Sequence, residues 1–222
     1  GVIGSGAMCD SYNPFERTEL VTRHALELLS AYGFGVAIDT KSDLVSRDTD
    51  VLAEIAAQMP VLVKFSITAA DPALAARLEP GAPSPERRFA AMRQLAGAGL
   101  FTGLLLMPVL PGLTDNRENL SRLLRQTAEA GGRFCYCWPG LTMREGQREY
   151  FLQGLEDAFP GQGLRARYLR RYGDRYWCAS PRARRLWEVF SHRCGQLGMR
   201  YRMEQIVSAA TRDYGDRQLN FF

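Results

Sequence analysis

Five short apolar runs, each released through polar or turn-forming residues and then followed by helical spacing, recur at roughly 30-residue intervals over the first 140 positions. They are the start of the chain to Met8, Phe34–Ile38, Val61–Thr68, Leu100–Leu110 and Arg133–Trp138. Strands this uniformly apolar belong to a parallel sheet covered on its faces, because one-sided sheets alternate apolar with polar residues. Right-handed crossovers then build either a doubly wound sheet or a partial (β/α) barrel, and periodicity alone does not choose between them.

The intervening helices carry their own punctuation. Residues 16–32 hold a helical period that ends at Gly33, and residues 44–58 hold a second that ends near Pro60. Asp71-Pro72 opens a short helix. Ser84 caps the next one, with Pro85 in its first turn. Thr114 is the expected cap of the helix that runs to Ala130. Beyond Gly140 the alternation breaks, and helices are expected over 143–159, 164–172 and from Ser180-Pro181 to about Leu197. The expected organisation is a barrel core over 1–139, a helical, Arg-rich extension over 140–212 and a tail over 213–222.

A chain of 222 residues with 46% hydrophobic content can bury a full α/β core. No apolar run approaches the length of a membrane span and no signal peptide is visible, so a cytoplasmic protein without a membrane partner is expected. Five cysteines, an odd number with irregular spacing, indicate a reducing compartment rather than a disulfide framework. Cys135 and Cys137 are expected on opposite faces of their strand, and zinc is not expected. Charge is distributed unevenly. Arg165–Arg202 contains eleven arginines against Asp174 and Glu188, beside several aromatics, which is the composition of a nucleic-acid-binding surface or of solvated helix faces. Only Lys41 and Lys64 among the 28 basic residues are lysine. A lysine kept where arginine is the habit marks a place for a compact point charge.

No dinucleotide fingerprint, phosphate loop or Ser-His-Asp set is visible, and His24 and His192 read as surface or packing residues. Polar residues do recur at the strand ends: Cys9-Asp-Ser-Tyr12, Asp39-Thr-Lys-Ser42, Ser66-Ile-Thr68 and Pro108 to Asp115. In a parallel α/β layer these ends converge on one rim, where ligands bind.

The segments Gly6-Ala-Met-x-Asp10-x-Tyr12-x-Pro14-x-Glu16, Thr40-Lys-Ser42, Ser66-x-Thr68, Glu79-Pro-x-Ala-Pro83 and Pro108-Val-Leu-Pro-Gly-Leu-Thr-Asp115 occur in this order. Together they resemble radical S-adenosylmethionine enzymes of the spore photoproduct lyase-like, DNA-repair photolyase-like branch. The resemblance implies a partial (β/α)6 TIM-like barrel of parallel strands. It also implies lyase-like chemistry in which a [4Fe–4S] cluster cleaves S-adenosylmethionine to a 5′-deoxyadenosyl radical, with an electron donor such as flavodoxin or ferredoxin. By the same resemblance Met8, Asp10 and Tyr12 belong to the loop at the methionine end of the cofactor. Lys41, beside Ser42, pairs with the methionine carboxylate. Ser66, with Thr68 nearby, reaches the ribose, and Val109, Pro111 and Leu113 line the adenine. Cys9 matches a hydrogen-atom-donating cysteine.

The chain departs from that pattern at one point. The family's CxxxCxxC loop is absent, so the expectation is an N-terminally truncated barrel lacking its first strand and unable to assemble the cluster by itself. The alternatives are a non-catalytic S-adenosylmethionine- or nucleic-acid-binding homologue, or an α/β-barrel enzyme without a cluster. Gln218-Leu-x-Phe-Phe222 is similar to the peptides by which bacterial repair proteins dock on the sliding clamp.

Overall fold

A computed structural model describes residues 1–214, so the clamp-like segment Gln218–Phe222 lies outside the described residues. Strands β1 (Val2–Ser5), β2 (Gly35–Thr40), β3 (Val61–Ser66), β4 (Phe101–Leu106) and β5 (Phe134–Cys137) form one parallel sheet in the order β1-β2-β3-β4-β5. Sequential order is what distinguishes barrel winding from a doubly wound sheet, in which the strand order reverses at a switch point. Between the strands lie α1 (Glu16–Glu19), α2 (Val21–Ala31), α3 (Thr49–Ala56), α4 (Pro72–Leu78), α5 (Pro85–Gly97) and α6 (Arg117–Glu129). After β5 come β6 (Gly140–Thr142), α7 (Arg148–Ala158), α8 (Leu164–Tyr172), β7 (Trp177–Ala179), α9 (Ala183–Gln196) and α10 (Met203–Thr211).

Side chains alternate across each strand, so the two faces of the sheet have different partners. Val36, Ile38, Val63, Phe65, Leu104 and Leu106 pack against α2, α3, α5 and α6 in the main core. Cys135 and Cys137 belong to that same core. They are two residues apart on β5 and share a face, contrary to the expectation that they diverge. On the other face Phe101 and Phe134 stack at 5.0 Å and receive Ile206 and Ala210 of α10. Gly103 permits this close approach of β4 and β5, since a Cβ there would lie 2.4 Å from the Phe134 carbonyl oxygen.

Several local expectations are corrected. The helix over 16–32 breaks at Leu20 (φ 55°), because the Glu16 carboxylate accepts from Thr22 N at 2.9 Å and so caps α2 from the preceding turn. The helix over 44–58 begins as a 3-10 turn, Asp43–Asp48, with Ser42 as its cap. Asn116, not Thr114, caps α6; the Thr114 hydroxyl instead accepts from Leu110 N at 2.8 Å. The segment expected to be helical after Gly140 contains the antiparallel pair β6–β7. Its helix α9 also joins the main core through Leu186, Phe190 and Cys194. Ser84 caps α5 and Asp71 caps α4, as their residue types require.

One buried cation ties the rim to this scaffold. Arg88 of α5, 1% exposed, donates to the Ser66 carbonyl at 2.7 Å and to the Pro83 carbonyl at 2.8 Å. It also pairs with Glu79 at 2.7 Å. Removing one member of a sheltered ion pair leaves an uncompensated charge and here an unsatisfied carbonyl. Arg88→Met is expected to cost about 3 kcal/mol of unfolding free energy, read as a lower urea midpoint. A midpoint equal to that of the parent would show that the pair contributes nothing.

Candidate functional site

The polar strand ends meet around a cleft of about 550 Å³, within the ~300–1,000 Å³ range of small-molecule sites. The β1–α1 loop supplies Gly6 to Asp10, β2 supplies Asp39 to Lys41, and β3 supplies Lys64 and Ser66. Leu105 and Met107 enter from the end of β4, Tyr136 from β5 and Met203 from α10. Both lysines of the chain therefore lie in one cleft.

Asp10 fastens the loop to the neighbouring strand. Its Oδ1 accepts from Tyr12 N at 3.0 Å and Thr40 Oγ1 at 2.8 Å, and its Oδ2 accepts from Lys41 N at 2.7 Å. An aspartate accepting from its own loop two residues on is the turn chemistry that its residue type favours. Gly6 has φ 95°, and a Cβ there would sit 1.9 Å from the Asp39 carbonyl oxygen, so only glycine allows the loop to lie this close to β2. Lys41 Nζ pairs with Glu79 at 3.4 Å, which links the cleft to Arg88 through the two oxygens of one carboxylate. Lys64 pairs with Asp39 on the adjacent strand, where the two are register partners. The Ser66 hydroxyl donates to the Met107 carbonyl at 3.1 Å. Met8 and Cys9 stand exposed at the mouth.

Of the residues expected at the cofactor, Met8, Asp10, Lys41 and Ser66 line the cleft together with Cys9. The others do not. Tyr12 is buried beside Asp48, and burial raises its pKa far above the phenol range. It shares a neighbouring hollow with Ser42, whose hydroxyl is used as the cap of the 3-10 turn. Thr68 is buried past the end of β3, and its carbonyl accepts from Asn119. Val109 is buried in the main core. The Pro111 carbonyl accepts from Tyr168, and Leu113 packs on the second core around Leu141 and Tyr168.

Lys64, Asp39, Leu105, Tyr136 and Met203 are cleft residues that motif reading did not assign. The period-two pleat carried the signal for Lys64, since it shares a face with Ser66. Nothing local marked Met203, which arrives from a helix about 140 residues downstream of Lys64 in the same cleft.

The residues present fit the methionine end of S-adenosylmethionine. A point cation, a hydroxyl and a closely approaching glycine backbone are the groups an amino acid and a sugar require. They do not fit an iron–sulfur cluster. Among the described residues no three His, Cys, Asp or Glu side chains come together as metal ligands. Cys135, Cys137, Cys178 and Cys194 are buried. Burial pushes the Cys137 and Cys194 thiols up to about 12 and raises the Cys135 thiol well above its ordinary range, which disfavours the thiolate that metals require.

No family model matches the chain. It is 37% identical over 172 residues to an uncharacterized protein of Mycobacterium tuberculosis, covering 75% of this chain and 50% of that one. An uncharacterized protein of Methanocaldococcus jannaschii is 30% identical over 115 residues, covering 52% of this chain and 43% of that one. The chain thus spans half or less of the length of these curated relatives. Among solved structures it is similar to spore photoproduct lyase at a TM-score of 0.62 and 18% identity, over 90% of this chain and 60% of that one. One such structure is a variant with bound AdoMet and dinucleoside spore photoproduct, and another is the lyase complexed with the dinucleoside. The fold is therefore similar to that of spore photoproduct lyase over about three fifths of the lyase chain.

The exposure of the thiols gives a direct check on this geometry. Brief alkylation of the native protein at neutral pH is expected to label Cys9 alone, and all five cysteines after unfolding. Native labelling of Cys135 or Cys194, read by peptide mass spectrometry, would contradict the packing of the main core.

Proposed function

We propose that this chain is the S-adenosylmethionine-binding barrel of a radical enzyme that acts on nucleic acid in the manner of a repair lyase. The observation that carries this reading is the convergence of Met8, Asp10, Lys41 and Ser66 on one cleft at the strand ends of a spore photoproduct lyase-like fold. The [4Fe–4S] cluster of this reading rests on the resemblance alone, since the described residues hold no ligand set for it. What the present residues do is bind and orient.

Lys41 releases Glu79 and takes the methionine carboxylate, a charge-assisted contact of roughly 1.5–3 kcal/mol. Asp10 holds the loop that carries Met8 and Cys9 against β2, so that the cofactor's amino group meets a preformed wall. Ser66, whose proton is already donated to Met107, presents its lone pairs to a ribose hydroxyl. Cys9, exposed at the mouth, offers the thiol suited to hydrogen-atom donation. The arginine-rich stretch Arg165–Arg202 supplies the charge that a polyanionic substrate needs.

A second reading is favoured by the dispersed cysteines: a homologue that binds S-adenosylmethionine or nucleic acid without radical chemistry. Release of 5′-deoxyadenosine by the anaerobically reconstituted full-length protein separates the two.

Lys41→Ala is expected to weaken S-adenosylmethionine binding at least tenfold by calorimetric titration of the chain, with Lys41→Arg recovering part of the loss. An unchanged dissociation constant in Lys41→Ala would remove the lysine from the site.

A further inference from the structure

A second polar cavity lies along the rim from the cofactor cleft. It has a volume of about 410 Å³ and collects four guanidinium groups, Arg167, Arg170 and Arg171 of α8 and Arg182 just before α9. Arg167, Arg170 and Arg171 stand at i, i+3 and i+4, so helical geometry puts them on one face. That face is held in place by two neighbouring tyrosines of the same helix. Tyr168 donates to the Pro111 carbonyl at 2.9 Å, and Tyr172 donates to the Ala179 carbonyl at 2.8 Å. These two buried rings fasten α8 to the loop after β4 and to β7.

The charge in this cavity is not balanced from within. Among the described residues only Arg182 of the four pairs with a carboxylate, Asp115, at 3.4 Å. That carboxylate is already committed: it accepts from Gly112 N at 2.7 Å and from the Ser180 hydroxyl at 2.6 Å. Arg170 and Arg171 also serve the C-terminal end of α8, where cations are favoured. That role does not account for Arg167, in the first turn, or for Arg182, which approaches from a different element. All four arginines are exposed, so solvent screens their mutual repulsion while their charge stays accessible to an incoming anion. Planar guanidinium groups match phosphate oxygens two at a time. Gly112, at φ 81°, turns the loop beneath these arginines, and a Cβ there would stand 3.3 Å from Arg167 Nη1.

The cavity is close to the cleft along the chain. Met107 lines the cleft and Pro111 lines the arginine cavity, so the connecting backbone spans at most ~14 Å. We propose that Arg167, Arg170, Arg171 and Arg182 form a phosphate site that anchors the backbone of a nucleic-acid strand whose reacting part occupies the cleft. The strand as occupant rests on the nucleic-acid part of the proposed function; the phosphate chemistry stands on the arginines alone.

The test compares the whole chain with Arg167→Gln/Arg170→Gln/Arg171→Gln. Its control is Arg93→Gln/Arg125→Gln/Arg212→Gln, which removes the same charge from exposed positions elsewhere. Binding of a fluorescein-labelled oligothymidylate is followed by anisotropy across a salt series. Inorganic phosphate is titrated separately. S-adenosylmethionine binding is measured on each protein.

The site variant is expected to lose at least tenfold in oligonucleotide affinity, and its salt slope is expected to fall by about two, at ~0.7 per phosphate contact on a single strand. The control is expected to lose less than threefold. S-adenosylmethionine affinity is expected to stay the same in both, so that a failure of the anchor is distinguishable from a failure of the cofactor reading. Equal losses in variant and control would overturn the site in favour of general charge. Loss of phosphate binding without loss of oligonucleotide binding would overturn the strand as occupant and leave a free phosphate. No difference with either probe would overturn both.

Discussion

The rim of this half-barrel depends on one buried guanidinium. Arg88 projects from α5 to the end of β3, where it meets the Ser66 carbonyl, the Pro83 carbonyl and the Glu79 carboxylate. A charge this deeply buried is tolerated only when its donors are satisfied and its countercharge is close. Both conditions hold here, and the consequence is geometric. The proline-rich segment before α5 is brought over the strand end, and Glu79 is left with one oxygen facing Lys41. The lysine that faces the cleft is thereby connected through a single carboxylate to the core.

The same economy appears on the other side of the cleft. Asp10 accepts three hydrogen bonds from three residues and so joins the β1 loop to the end of β2. A loop held by its own aspartate needs little from the core, which is consistent with the exposure of Met8 and Cys9 at its tip. The cleft thus has one wall anchored by buried charge and another anchored by turn chemistry. Lys64 and Asp39 lie between them as a pair set by strand register.

How much of the candidate site was legible varies residue by residue. Lys41 was legible because a lysine at a strand end is conspicuous among 26 arginines, and Ser66 because it ends an apolar run. Val109, Pro111 and Leu113 follow Met107 in sequence, yet they do not line the cleft. The loop after β4 turns toward β6 at once: Val109 N donates to the Gly140 carbonyl at 2.8 Å, and Tyr168 takes the Pro111 carbonyl. Those partners come from 30 and more residues downstream, and no local pattern encodes them. The arginine cavity was legible only as composition. The helical period of α8 groups three of its arginines, but Arg182 joins them solely through tertiary packing.

By itself the sequence determined the five strands, the caps Asp71 and Ser84 and the polar rim, because periodicity, proline and capping chemistry act over a few residues. The pair β6–β7 was decided by partners distant in the chain, whereas the break at Leu20 and the 3-10 turn at Asp43–Asp48 turn on side chains only a few residues away. Barrel winding rather than a doubly wound sheet was likewise a tertiary outcome, since it depends on which strand edge each crossover returns to. So was the placement of Met203 and Tyr136 beside two lysines. Side-chain chemistry is written locally, whereas the company each side chain keeps follows from minimising buried apolar surface and unpaired polar groups over the whole chain at once.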